Sequence, residues 1–201
     1  YPESDTHVWT QGEPHEARHW FPCFDYPNER ASTEIIFHVP HDMPVVSNGR
    51  IFVHSRQDPE EVVAALDLAT GKPAWTAKYQ SAFNKNKYAN EMSKGPFSTP
   101  LVADGIVYTL GTSAVLSAFD EKTGALKWRK DWSKEIDTSK LFTGTAMSPI
   151  IDNGLLIVHV GDDTEGAFRA LDPATGAEKW TLLGHGPGYA SPVSWGIISA
   201  S

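Results

Sequence analysis

Three stretches repeat one pattern along the chain: Ala64–Trp75 (AALDLATGKPAW), Ser117–Trp128 (SAFDEKTGALKW) and Arg169–Trp180 (RALDPATGAEKW). Each contains an apolar residue, Asp, two further residues, Thr-Gly, three residues and Trp. The Asp residues are 53 and 52 positions apart, and the Trp residues have the same spacing. A fixed period of this length indicates repeated structural units that stack side by side.

A strand–turn–strand pattern precedes each copy of this motif. Asn-Gly and Asp-Gly pairs adopt the positive φ that tight hairpin turns require, so they predict the turn of each pattern. These pairs are Asn48-Gly49, Asp104-Gly105 and Asn153-Gly154. A fourth copy begins at Ala190, where Trp195-Gly196 is a weaker turn signal.

The Asp-x-x-Thr-Gly part of the motif predicts a second turn, in which Asp and Thr side chains cap backbone N–H groups and Gly takes the left-handed position. The Trp that follows begins another strand, where its ring can fill space between neighbouring sheets. We therefore expect structural roles for these repeated residues. They are Asp67, Gly71, Trp75, Asp120, Gly124, Trp128, Asp172, Gly176 and Trp180.

About four short strands in a period near 50 residues are typical of a β-propeller. The predicted fold is all-β, with an incomplete propeller of about three to four blades over residues 43–201 and a short β segment over residues 1–42. Closed propellers have typically 4–8 blades. Since an unclosed array leaves strand edges exposed, we expect either further sequence in the parent protein or self-association through the open blade edges.

The repeats resemble those of quinoprotein-like (pyrroloquinoline-quinone-type) propellers, whose motif Ala-x-Asp-x-x-Thr-Gly-x-x-x-Trp begins here at Ala65, Ala118 and Ala170. For the dehydrogenases of that family, the resemblance implies a quinone stacked on Trp, a vicinal Cys pair and a calcium ion. Residues 43–201 contain no Cys. The interpretation is a non-catalytic scaffold or ligand-docking propeller with a protein or peptide partner. The alternative is a fragment of a quinone-dependent dehydrogenase whose cofactor groups lie beyond residue 201.

Residues 7–42 are similar to the amino-terminal β-domain of zinc aminopeptidases of the aminopeptidase N type. The matching elements are Thr10-Gln11-Gly12-Glu13, Ala17-Arg18 and Phe21-Pro22-Cys23-Phe24-Asp25-x-Pro27. The resemblance implies that Gln11 and Glu13 belong to a pocket for the free α-amine of a substrate, where a carboxylate pairs with an ammonium group. The family's Gly-x-Met-x-Asn loop is absent from the sequence. The seam between the two segments is ambiguous, because PVVSNGR at 44–50 fits both patterns.

One string in the first segment, His15-Glu16-Ala17-Arg18-His19, matches the H-E-x-x-H zinc motif. On a helix, His15 and His19 would share one face and Glu16 would act as general base. Pro14 and Pro22 leave barely two turns around the string. We therefore expect no catalytic residue and no resident metal, and keep a zinc-dependent aminopeptidase-related protein as an alternative function.

Composition excludes some classes of partner. The chain has 17 Lys+Arg against 25 Asp+Glu, a net charge of -8, and no basic stripe of the kind that binds nucleic acid. No apolar run approaches the roughly 20 residues of a membrane helix. The first 49 residues contain no Lys, two Arg and eight acidic residues, which supports two segments of different origin. The propeller resemblance implies an extracytoplasmic, periplasmic or secreted, bacterial location.

Overall fold

The structure is a computed structural model, and its described residues belong to one compact unit, Pro44–Ser201. The described residues are 48–84, 86–89, 94–162, 164–184, 186–188 and 191–192. Within these ranges, eleven strands form three antiparallel sheets that we call blades I, II and III. No helix among the described residues has the length and apolar character required to cross a membrane.

Blade I is a sheet of three described strands in the order β1-β2-β3. They are β1 (Arg50–Gln57), β2 (Glu60–Asp67) and β3 (Pro73–Gln80). Blade II contains β4 (Leu101–Ala103), β5 (Ile106–Leu110), β6 (Val115–Asp120) and β7 (Leu126–Asp131), paired in chain order. Blade III contains β8 (Ile150–Asp152), β9 (Leu155–Gly161), β10 (Gly166–Leu171) and β11 (Glu178–Gly184), also paired in chain order. Two short 3₁₀ turns, Lys87–Ala89 and Thr138–Lys140, lie in the connections between blades.

The Asn-Gly and Asp-Gly pairs form the first turn of each blade, with positive φ at both residues. The φ values are 50° and 68° at Asn48 and Gly49, 49° and 75° at Asp104 and Gly105, and 47° and 74° at Asn153 and Gly154. Since the strands alternate in direction, these turns and the Asp-x-x-Thr-Gly turns lie at one end of the blades, which we call the turn end. The connections between blades lie at the opposite end, which we call the loop end.

Blade II lies between blades I and III. Every residue of β5 and all but the last residue of β6 are buried, because apolar side chains on their two faces pack against blades I and III. One core cluster joins Val63 and Tyr79 of blade I to Val115 and Phe119 of blade II. A larger cluster joins blade II to blade III and includes Leu110, Leu116, Leu156, Val158 and Leu171.

The predicted fold class is confirmed, because three sheets of three or four antiparallel strands stack as propeller blades. Each blade also has an irregularity of register at the same place, one residue pair before its second turn. It lies between Ala65 and Leu66, between Ala118 and Phe119, and between Ala170 and Leu171. The repeat in sequence is therefore a repeat in backbone geometry. The predicted first strand of blade I, before Asn48, and the predicted turn at Trp195-Gly196 lie outside the described residues.

Candidate functional site

The Asp-x-x-Thr-Gly motif forms the turn between the last two strands of each blade. In blade II, Asp120 Oδ1 accepts hydrogen bonds from the Thr123 backbone N–H at 2.9 Å and from its hydroxyl at 2.8 Å. Gly124 has φ +72° and donates its N–H to the Asp120 carbonyl at 2.8 Å. Asp67 and Asp172 likewise accept the backbone N–H of the threonine in their own turns. The carboxylates are therefore engaged in closing turns.

The tryptophan of blade I packs on the turn of blade II. The Trp75 indole N–H donates to the Glu121 carbonyl oxygen at 2.9 Å. A Cβ atom at Gly124 would lie 2.6 Å from the Trp75 ring, so only glycine fits beneath it. Phe52 and Phe119 complete the surroundings of the ring, with centroids 6.0 and 6.5 Å away.

The junction between blades II and III has the same construction. The Trp128 indole N–H donates to the Pro173 carbonyl oxygen at 2.9 Å, and the Tyr108 hydroxyl donates to the same oxygen at 3.2 Å. A Cβ atom at Gly176 would lie 2.7 Å from the Trp128 ring. Each junction thus pairs the tryptophan of one blade with the carbonyl and glycine of the next.

Two of the predicted repeat residues lie outside this arrangement. Trp180 lies on β11, where every residue is exposed, and no described turn follows that covers its ring. Gly71 has no atom within 4 Å of where its Cβ would be, because no described tryptophan packs on the first turn. The sequence pattern alone does not distinguish these two positions from their buried counterparts.

A buried carboxylate holds blades I and II together at the loop end. The Glu61 side chain is fully buried and accepts hydrogen bonds from the Tyr79 hydroxyl at 2.6 Å and from the Thr112 backbone N–H at 3.0 Å. His54 Nε2 lies 3.3 Å from Glu61 Oε2. Gly111 makes room for the carboxylate, since a Cβ there would lie 2.1 Å from Glu61 Oε2, much closer than atoms can approach.

Burial alone would raise the pKa of Glu61, but the hydrogen bonds from His54, Tyr79 and Thr112 and the charge of His54 outweigh it and hold the pKa at about 2. Burial and the neighbouring carboxylate raise the pKa of Tyr79 well above its usual value. Arg129 stacks on the Tyr79 ring, with its guanidinium carbon 4.1 Å from the ring centroid. The cluster therefore holds an ionised Glu61 carboxylate and a protonated Tyr79 hydroxyl, and this arrangement stabilises the contact between blades I and II at the loop end.

Sequence reasoning missed this cluster, because it does not repeat. The positions equivalent to Glu61, six residues before the motif aspartate, hold Ala114 in blade II and Gly166 in blade III. The signal in the sequence is a glutamate directly before the apolar run of β2, at the start of the string EEVVAA at 60–65.

A second repeating contact lies just before β4 and β8, the first strands of blades II and III, and at the start of the fourth repeat. The Thr99 backbone N–H donates to Ser148 Oγ at 2.9 Å, and the Ser148 backbone N–H donates to Ser191 Oγ at 2.9 Å. Each of these residues precedes a proline. A hydroxyl at the start of one repeat thus accepts the main-chain N–H at the start of the repeat before it, which links successive repeats.

The two long connections at the loop end contact each other. Asn86 in the connection between β3 and β4 donates from Nδ2 to the Lys140 carbonyl oxygen, in the connection between β7 and β8, at 3.4 Å. The Ser113 hydroxyl, at the tip of the β5–β6 hairpin, donates to the Ala82 carbonyl at 2.7 Å. These hydrogen bonds join the β3–β4 connection to the β7–β8 connection and to the β5–β6 hairpin.

Three aromatic side chains are exposed on these connections, and we call them the loop surface: Tyr88, Phe97 and Phe142. Tyr88 is 75% exposed, and the Lys87 ammonium lies 4.8 Å from its ring centroid. Exposed aromatic side chains are typical of protein-binding surfaces, where they are enriched at the positions that contribute most affinity. The loop surface is therefore the candidate functional site.

The other candidate sites from the sequence are placed as follows. Asp162, in the turn between β9 and β10, accepts the Thr164 N–H at 2.8 Å and pairs with Lys140 at 2.9 Å, so it closes a hairpin turn. No three His, Cys, Asp or Glu side chains in the described part of the chain group in a way that could hold a metal ion. Outside the described residues lie Gln11, Glu13, His15, Glu16 and His19.

The repeated turns, the tryptophan junctions and the stacked sheets of three or four strands define a PQQ-type repeat propeller. The family model described as outer membrane protein assembly factor BamB matches residues 2–194, and the chain belongs to this family. The matched range includes residues 7–42, the segment that resembles aminopeptidases.

The relatives include assembly factors and dehydrogenases. The chain is 29% identical over 143 residues to outer membrane protein assembly factor BamB of Moranella endobia (strain PCIT), which covers 69% of the chain and 31% of that relative. It is 36% identical over 97 residues to a quinohemoprotein alcohol dehydrogenase of Comamonas testosteroni, which covers 46% of the chain and 13% of that relative. The chain thus spans about a third or less of the length of these relatives.

A solved structure shows the same fold. The europium-containing methanol dehydrogenase superimposes with a TM-score of 0.51 at 22% identity, covering 71% of this chain and 24% of that one.

The dehydrogenase relatives imply a quinone group, for which a tryptophan ring would be the stacking surface. Trp75 and Trp128 do not fit this role, because their rings are packed against Gly124 and Gly176 of the following blades. Their indole N–H groups are also engaged with backbone carbonyls. These two tryptophans therefore act as contacts between blades.

Two substitutions to asparagine test the tryptophan junction. Asparagine tolerates the left-handed backbone of these turns, so the added side chain is the main change. At Gly124 it meets the Trp75 ring, and we expect Gly124→Asn to lower the free energy of unfolding by about 1–3 kcal/mol. At Gly71 the same change meets nothing, and we expect an effect within about 0.5 kcal/mol. Urea unfolding in dilute solution measures both, and equal losses would contradict the junction.

The pKa of Glu61 predicts a dependence of stability on pH. Because folding lowers this pKa from 4.5 to about 2, its contribution is present above pH 4.5 and is lost as the pH falls toward 2. The contribution is at most about 3 kcal/mol. We expect Glu61→Gln to be less stable than the native chain near neutral pH, with the difference shrinking in acid.

Glu60→Gln is the matched control, since Glu60 lies next to Glu61 on β2 and accepts a surface hydrogen bond from Gln80. Urea unfolding between about pH 6 and about pH 3 measures both variants. A difference for Glu61→Gln that stays constant over this range would show that the carboxylate does not carry the effect.

Proposed function

We propose that the blades of this chain act as a protein-docking scaffold without catalysis, and that the partner binds the loop surface of Tyr88, Phe97 and Phe142. The observation that carries the proposal is the exposure of these three aromatic rings on two connections that hydrogen-bond to each other. Large rigid rings lose little conformational entropy on binding and bury much area, so they make effective anchors for a protein partner.

The charged groups of the blades support the same function. Arg56 donates to the Ser81 carbonyl, just after β3 of the same blade. Glu61 accepts from the Thr112 hydroxyl and Arg129 stacks on the Tyr79 ring, so both residues join blade I to blade II. The motif aspartates accept hydrogen bonds from the threonines of their own turns; they are Asp67, Asp120 and Asp172. The described scaffold therefore uses its titratable side chains for rigidity, and presents aromatic side chains to a partner.

The relatives indicate the kind of partner. One relative is named an outer membrane protein assembly factor, which associates that protein with the assembly of other proteins at the outer membrane. By this similarity, the proposed partner is a protein of the bacterial cell envelope, and the proposed location is extracytoplasmic. Dehydrogenases are also among the relatives, so a fragment of a quinone-dependent dehydrogenase is the second candidate.

The division into a segment 1–42 and a propeller 43–201 remains a prediction, as does the aminopeptidase-like character of the first segment. The roles inferred by resemblance for Gln11 and Glu13, and the alternative zinc ligands His15 and His19 with Glu16 as base, also stay predictions. The proposed docking function depends on none of them, because Tyr88, Phe97 and Phe142 are all among the described residues.

Photo-crosslinking tests the proposed function. A photoreactive amino acid at position 88, in the chain exported to the periplasm of a Gram-negative bacterium, is expected to form adducts with envelope proteins that assemble the outer membrane. Position 126 is the control, because Leu126 is also exposed but lies at the turn end. We expect Tyr88→Ala to weaken binding of the identified partner by about tenfold or more.

Two results would contradict the proposal. Adducts of equal yield and identity from positions 88 and 126 would show that the loop surface is not selective. Turnover of an alcohol by the purified chain with added pyrroloquinoline quinone and calcium would show catalysis and favour the dehydrogenase candidate.

A further inference from the structure

Both junctions between described blades stack an arginine on an aromatic ring at the loop end. The ring belongs to the residue four positions after the motif tryptophan, which is Tyr79 in blade I and Trp132 in blade II. The guanidinium carbon of Arg129 lies 4.1 Å from the centroid of the Tyr79 ring. That of Arg169 lies 5.2 Å from the centroid of the Trp132 ring. The two junctions are therefore comparable at this place.

The two arginines differ in what accepts their Nε–H group. Arg129 Nε donates to Ser117 Oγ at 2.8 Å. Arg169 itself occupies the position of Ser117 in its blade, three residues before the motif aspartate. Its Nη1 donates to Glu178 at 2.9 Å, whereas its buried Nε has no acceptor among the described residues. An N–H group removed from water without an acceptor is unfavourable, so an acceptor that enters this junction would be stabilised.

The first junction also contains a buried carboxylate that the second lacks. In the first, Glu61 accepts from the Tyr79 hydroxyl beside the arginine stack. In the second, the position of Glu61 holds Ala114. The chain therefore supplies no carboxylate of its own from this position of blade II.

A cavity of about 200 Å³ lies in the second junction, and we call it the junction cavity. Its walls belong to two described blades, since Ile136 follows β7 of blade II, and Val160 and Leu183 lie on β9 and β11 of blade III. These three residues give the junction cavity an apolar wall. Arg169 is the only lysine or arginine among the described residues that line it. Since pockets for drug-sized ligands measure roughly 300–1,000 Å³, the volume suits a smaller molecule.

Acidic side chains also line the junction cavity. Asp162 is paired with Lys140 at 2.9 Å. Glu135 and Glu165 form no ion pair with any residue in the described part of the chain. Two such carboxylates repel a simple anion and attract an ammonium group. The charges around the junction cavity therefore favour a molecule that carries both a carboxylate and an ammonium group.

We propose that the junction cavity binds a free α-amino acid with an aliphatic side chain. Its carboxylate pairs with the Arg169 guanidinium, and its ammonium group pairs with Glu135 or Glu165. Because Glu178 engages Nη1, the edge formed by Nε and Nη2 is left for the two carboxylate oxygens, which a guanidinium binds in parallel. The aliphatic side chain lies on the apolar wall. This site is separate from the loop surface and does not depend on the proposed function.

Isothermal titration calorimetry of the full 201-residue chain with L-leucine tests the site. We expect saturable binding of one leucine per chain, with a dissociation constant below about 1 mM. Two analogues separate the contributions of its charged groups. Leucine amide lacks the carboxylate and 4-methylpentanoate lacks the ammonium group, and we expect each to bind about tenfold or more weakly than leucine.

Matched variants locate the binding. Arg169→Lys keeps the positive charge but removes the parallel pair of donors, and we expect leucine to bind it about tenfold or more weakly. Arg129→Lys is the control, because Arg129 makes the equivalent stack in the other junction, and it is expected to bind leucine like the native chain. The double variant Glu135→Gln, Glu165→Gln is expected to bind leucine more weakly and 4-methylpentanoate more tightly than the native chain does.

Three results would overturn the proposal. They are the absence of saturable heat with leucine up to about 10 mM, equal affinities for leucine and leucine amide, and equal losses in Arg169→Lys and Arg129→Lys. Circular dichroism and urea unfolding establish that each variant is folded, so a loss of binding is attributable to the junction cavity. A partner bound at the loop surface would be unaffected by any of these outcomes.

Discussion

The docking of a tryptophan on the turn of the following blade is the contact on which the other features depend. It joins an aromatic ring, a backbone carbonyl and a glycine that has no room for a side chain, as in Trp75, Glu121 and Gly124. Because the same contact recurs at Trp128, it fixes the spacing between successive blades. The hydroxyl groups of Ser148 and Ser191 accept the backbone N–H groups of Thr99 and Ser148, and these contacts link successive repeats at a second point.

The two ends of the blades differ in a way that separates structure from function. The turn end repeats closely, because every blade needs the same turn to meet its neighbour. The loop end does not repeat, since it combines the buried Glu61 cluster, the two long connections and the exposed Tyr88 ring. A rigid repeating frame with variable loops at one end is the usual arrangement in which loops carry the binding function.

The sequence predicted the frame well and the loop end poorly, for a physical reason. Asp120 and Gly124 are required by the local turn, so their spacing is visible in the sequence at each repeat. Glu61 is required by its contacts with Thr112, 51 positions away, and no local pattern records such a partner. The exposure of Trp180 is likewise absent from the motif, which is the same for the covered and the exposed tryptophans.

The sequence by itself determined the all-β class, the period of the repeat, the turn residues and the tryptophans, because short-range backbone geometry dictates each of them. Only the tertiary structure decided which tryptophans are covered, which carboxylate is buried and which aromatic rings share the loop surface. These properties depend on residues that are distant in the chain and on what lies beside each blade. For that reason the binding sites proposed for this protein come from its packing, whereas its family was already visible in its repeats.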